Sequence, residues 1–123
     1  MIDYVQINRL LDSLAKTKFR GSFHLNKKMR DYVTDKGMDV IRKHAYDFVN
    51  NRIKIRPVND GKQTPMKGHP VFIAQHATGT CCRGCLERIH KISKNKELSS
   101  DEIDYIVLVL MMWIKKEMEE VNL

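Results

Sequence analysis

Cys82-Arg83-Gly84-Cys85 sets two thiols at C-x2-C spacing around a glycine, and a third thiol, Cys81, adjoins the first. Thiolates at that spacing suit a transition metal, because a small intervening residue lets the backbone turn tightly around the ion. His90 extends the pattern to C-x2-C-x4-H, the first three ligands of a zinc knuckle. Asn95 stands where the second half would supply a cysteine, so His76 or His69 would have to fold back to close the tetrahedron. The metal-ligand candidates are therefore Cys82, Cys85, His90 and His76, with zinc as the expected cofactor. Arg83 and Arg88 would help hold the thiolates ionised. Two other chemistries stay open. A C-x2-C can cycle between dithiol and disulfide, although that motif usually follows a strand and opens a helix, whereas Cys82 reads as lying late in a helical stretch. A cysteine nucleophile would take His76 or His69 as its base, but His76 and Cys81 are five apart and so on different faces of a regular helix. A plainer assignment also stands: Cys81 and Cys85, at i and i+4, as small core residues.

Residues 68 to 90 hold three of the five histidines and every cysteine. Lys62, Lys67, Arg83, Arg88 and Lys91 surround them and are the candidates for phosphate or nucleic-acid contact. The polar loop 59–65, centred on Gly61, could cradle a phosphate on its backbone N–H groups, though it lacks the G-x4-G-K-[ST] spacing of a P-loop. The net charge of +7 is unevenly spread. Residues 1–60 carry 13 basic and 7 acidic side chains, residues 61–98 carry 7 and 2, and residues 99–123 carry 2 and 6. A basic body of this kind attracts polyanions by counterion release; it is equally the make-up of a well-solvated surface.

The runs Asn59-Asp60-Gly61-Lys62-Gln63-Thr64-Pro65, Gly68-His69-Pro70-Val71-Phe72-Ile73-Ala74-Gln75-His76-Ala77-Thr78 and Cys81-Cys82-Arg83-Gly84-Cys85-Leu86 together resemble a prokaryotic family catalogued as domain of unknown function 4186. The resemblance spans about residues 14 to 114. The family pattern has Ala where this chain has Gly79, and Trp where it has Ile89; the cysteines and histidines match. The resemblance implies a small intracellular protein. It implies no activity and no catalytic residue.

These groups need elements to position them. Ile7, Leu10, Leu11 and Leu14 mark one apolar face of a helix over 3–16, with Asp3 as its N-cap. Residues 19–25 break that period and read as a connector anchored by Phe19 and Phe23. Asn26 caps a short helix that Gly37 stops. Met38, Ile41, Ala45, Phe48 and Val49 line a third helix to about 51, with His44 at its hydrogen-bonded edge. Residues 53–68, rich in proline and glycine, read as a long loop, with a brief strand allowed by the alternation Ile53-Lys54-Ile55-Arg56. Pro70 starts a helix that Gly79 and Gly84 weaken and that breaks near the cysteines. After a polar connector over 91–98, Ser99 or Ser100 caps a last helix. That helix is apolar almost all round over 105–114, so it sits centrally or pairs with another chain as a homodimer.

The fold class is thus all-α: one domain over 1–123, a bundle of about five helices with a long central loop. An odd set of three clustered cysteines is not a disulfide framework. No basic-then-apolar leader is read at the N-terminus, so the expected compartment is the cytoplasm. No run reaches the ~20 apolar residues of a membrane span. The expected function is a small helical binding protein, zinc-stabilised through the Cys/His cluster and associated with nucleic acid. The alternatives are an enzyme using that cluster, metal-dependent or thiol-based, and a protein-interaction module built on the C-terminal helix.

Overall fold

A computed structural model describes residues 3–120. Among them there are six α-helices, one 3-10 turn and no strand. The helices are α1 (Tyr4–Ala15), α2 (Lys27–Lys36), α3 (Met38–Arg52), α4 (Pro70–Thr78), α5 (Arg83–His90) and α6 (Ser100–Glu120), with the 3-10 turn at Arg20–Ser22. Local chemistry sets their starts. The Asp3 carboxylate accepts from the N–H groups of Val5 and Gln6, and Asn26 accepts from Met29. Ser99 and Glu102 form a reciprocal capping box on α6, each side chain accepting from the other's backbone N–H at 3.1 and 2.9 Å.

α6 is the central helix. Ile103, Ile106, Val107, Leu110 and Ile114 pack in one cluster with Ile41, Ala45 and Val49 of α3 and Val71 and Ala74 of α4. Val109, on another side, packs with Ile7 and Leu11 of α1. The apolar circumference of α6 is therefore used within the chain, each large aliphatic side chain contributing about 1.5–3 kcal/mol on burial. A second copy is not needed to cover it.

The helix from Pro70 breaks before the cysteines as expected, because Gly79 takes a left-handed conformation (φ 72°) and ends α4 by donating to Gln75 O. One element differs from expectation. Residues 53–56 are irregular rather than a strand: Ile53 is 0% exposed in the core and Ile55 is 68% exposed, an alternation made by the chain leaving the core. No helix of the described residues is long and apolar enough to cross a membrane.

His69 caps α4. Its Nδ1 accepts from Val71 N–H at 3.0 Å, so its proton is on Nε2, which faces His44 Nδ1 at 3.0 Å. Phe48, Phe72 and Tyr32 enclose the pair. Burial, and then the neighbouring His44, lower the pKa of His69 to about 4. An imidazole depressed below its unfolded value of about 6.5 stabilises the fold above that pH and loses its contribution as pH falls towards 4. The expected result is a loss of about 2 kcal/mol between pH 7 and 4 that His69→Asn largely abolishes, since asparagine keeps a cap acceptor without titrating. Urea midpoints across that range check it; parallel curves for both proteins would place the acid sensitivity elsewhere.

Candidate metal centre

The three cysteines lie where α4 gives way to α5. The buried turn between the helices is braced by side chains: Gln75 Nε2 donates to Thr80 O at 3.2 Å, the hydroxyls of Thr78 and Thr80 lie 3.0 Å apart, and Thr64 Oγ1 donates to Cys81 O at 2.8 Å. Gly79 and Ile89, the two positions where the chain departs from the resembled pattern, touch: a Cβ on Gly79 would stand 2.4 Å from Ile89 Cδ1.

Cys82 is the N-cap of α5, and its Sγ accepts from Cys85 N–H at 3.4 Å. The Sγ atoms of Cys81, Cys82 and Cys85 all lie within 4.8 Å of one another. Those of Cys82 and Cys85 are 3.1 Å apart, and no disulfide joins them. Cys81 and Cys82 are buried; Cys85 is half-buried.

Charge converges on Cys85. Arg20, carried by the 3-10 turn, donates to His76 O at 2.6 Å and to Cys85 Sγ at 3.3 Å, with Cys81 Sγ at 3.9 Å. Arg88 donates to Cys85 Sγ at 3.5 Å. Hydrogen bonds from Cys81 and Cys82, followed by Arg20, hold the Cys85 thiol far below its usual range against the opposing effect of burial. The same hydrogen bonds, to Cys82 and Cys85, push Cys81 strongly upward, and burial adds to them. The thiol held low is thus the one that both guanidinium groups face.

Loop 59–65 fastens this turn from outside. Asp60 accepts from Arg83 N–H through Oδ1 and from Gly84 N–H through Oδ2, both at 2.9 Å, and so occupies the free amides that open α5. Burial alone would raise the Asp60 carboxyl; hydrogen bonds from Gln63, Arg83 and Gly84 outweigh it and hold the group low. The amides at the start of α5 are thus filled by the chain's own carboxylate.

Of the ligand candidates, Cys82 and Cys85 come together and Cys81 joins them. The histidines are engaged elsewhere. His90 Nδ1 lies 2.8 Å from Tyr105 OH and Nε2 lies 2.7 Å from Thr78 O, so both ring nitrogens have partners. His76 Nε2 lies 3.2 and 3.1 Å from the carbonyls of Thr64 and Pro65, and its ring stacks on Phe23. Of the phosphate candidates, Lys62, Lys67 and Lys91 are exposed, while Arg88 reaches Cys85. Arg83 is not at the surface. It is 0% exposed, and its guanidinium donates to the carbonyls of Ile53, Lys54, Ser93 and Lys96 at 3.3, 3.0, 2.6 and 2.9 Å.

Arg20 and Asp60 are site residues that sequence spacing did not single out. Gly21 held the one signal for Arg20: a Cβ there would lie 2.2 Å from Ala15 O, so only glycine lets the turn back onto the end of α1 and hold its neighbour over the sulfurs.

No solved structure matches the chain. A family model does, over residues 8–115 and so across every element that builds the sulfur cluster. The chain belongs to the family described as domain of unknown function DUF4186.

Proposed function

We propose that this protein binds a metal ion, zinc by preference, through Cys81, Cys82 and Cys85. The observation that carries it is the convergence of three Sγ atoms within 4.8 Å, opposite two arginines. Thiolates bound to one tetrahedral zinc at about 2.3 Å lie about 3.8 Å apart. The sulfur separations here, from 3.1 Å up to at most 4.8 Å, bracket that spacing. Three thiolates and a divalent cation carry one net negative charge, and Arg20 and Arg88 are placed to offset it. The chain supplies three ligands, the number found in zinc sites that keep one position for water or substrate. A nucleic-acid role has less behind it, since Arg83 is buried and Arg88 faces Cys85, leaving Lys62, Lys67 and Lys91.

Elemental mass spectrometry on untagged protein purified under reducing conditions tests this reading. The expected result is about one zinc per chain, lost in Cys81→Ser, Cys82→Ser and Cys85→Ser. It is retained in His90→Asn, because His90 is committed to Tyr105 and Thr78. A wild-type protein that neither carries zinc nor takes it up on titration would sink the proposal. Loss of zinc in the folded His90 variant would restore that histidine as a ligand.

A further inference from the structure

We infer that Cys82 and Cys85 also form a dithiol couple that reduces hydroperoxides, so that peroxide and metal compete for the same sulfurs. The metal half of this inference rests on the function proposed above; the dithiol half rests on geometry alone.

Cys82 and Cys85 Sγ are 3.1 Å apart, closer than two sulfurs ordinarily approach without bonding and about 1 Å longer than a disulfide bond. Their helical setting answers one half of the sequence-based objection to redox chemistry, although α4 and a turn, not a strand, precede the motif. Cys82 does not lie late in a helix; it opens α5, and Cys85 sits in the first turn of that helix. One helical turn is what brings the two sulfurs within reach of each other. The two sulfurs also divide the work by position. Cys85 is half-buried and meets Arg20 from the 3-10 turn and Arg88 from its own helix, whereas Cys82 is buried behind it. The adjacent pair Cys81–Cys82 is a poor alternative, because bridging neighbours strains the backbone.

The reaction balances with a hydroperoxide as the oxidant. Cys85 thiolate attacks the terminal oxygen of ROOH; an S–O bond forms and the O–O bond breaks. The leaving alkoxide, forming beside the two guanidinium groups, takes up through solvent the proton that Cys85 gave up on ionising, and departs as ROH. Cys82 sulfur then attacks the sulfenic acid at Cys85. An S–S bond forms, the S–O bond breaks, and the hydroxyl leaves as water with the Cys82 proton. The two sulfurs supply both electrons, and two thiols plus ROOH give a disulfide, ROH and water. Two of the three proposed metal ligands are spent, so oxidation ejects the ion.

The test uses reduced, metal-free full-length protein and one equivalent of hydrogen peroxide. The expected product has lost the mass of two hydrogens, at a rate at least about tenfold above that of a free cysteine thiol at neutral pH. Trypsin, cutting after Arg83, leaves two peptides joined through Cys85. Cys81→Ser still forms the bond, which assigns the partner to Cys82. Cys82→Ser halts at a Cys85 sulfenic acid that dimedone traps, and Arg88→Met, an exposed change, slows the reaction. No disulfide, a rate equal to that of a free thiol, or a bond lost in Cys81→Ser would each overturn the couple. A chelator dye then reads zinc release when loaded wild-type protein meets peroxide. Retention of zinc through complete oxidation would overturn the competition. A protein that forms the disulfide but never takes up zinc would refute the metal reading alone.

Discussion

Arg83→Met lowers the stability of the fold by about 3–5 kcal/mol, a fall in Tm of about 10–20 °C. The side chain is fully buried and its guanidinium serves four backbone carbonyls, two where α3 ends and two in the connector before α6. Methionine fills much of the volume but donates nothing, so all four acceptors lose a charge-assisted partner at once, each worth about 1–3 kcal/mol before the connectors relax towards water. Arg83→Lys recovers less than half, because an ammonium has three donors on a point charge and cannot span a planar fork. Chemical denaturation of the three proteins measures the effect. A loss below about 1 kcal/mol for methionine would mean that water replaces the guanidinium without cost and that Arg83 is not the fastener of this end of the molecule.

Gly21→Ala costs about 2–3 kcal/mol and takes the arginine away from the sulfurs. The added Cβ would lie 2.2 Å from Ala15 O and 2.9 Å from Ala15 C, backbone atoms at the end of α1 that cannot swing aside. The 3-10 turn must lift, and Arg20 lifts with it. The rate of Cys85 alkylation by iodoacetamide at neutral pH then falls severalfold in the variant that remains folded. Arg20→Met separates the two consequences. It costs about 1 kcal/mol through the lost bond to His76 O, and it lowers alkylation to the same degree. Unchanged alkylation in Gly21→Ala would show that the close approach at Ala15 does not position Arg20.

What could be read along the chain was what neighbouring residues decide. Asp3, Asn26 and Ser99 announce their helices because a cap and the amides it serves lie within three residues. The break before α5 was legible in Gly79, and the central place of α6 in an apolar surface too wide for a one-sided helix. The site was half legible. C-x2-C spacing located Cys82 and Cys85, because one helical turn brings them together. The same arithmetic proposed His76 and His90, each with its Nε2 taken by a carbonyl that only the tertiary fold delivers. Arg83 reads as a surface charge because nothing local reveals that residues 53–54 and 93–96 turn four carbonyls towards it. Arg20 lies more than sixty residues from the thiols it faces. A contact of that kind leaves no periodicity to detect.

The grip of Arg83 on both connectors has a consequence for how the molecule opens. Residues 53–54 and 93–96 are tied through one side chain, and Leu98 N–H bonds Lys54 O directly at 3.0 Å. Asp60 ties the long loop to the same helix start. Two stretches without regular structure therefore belong, with α5, to a single cooperative unit rather than fraying independently. Loosening at either connector is thereby felt at the start of α5, where Cys82 sits.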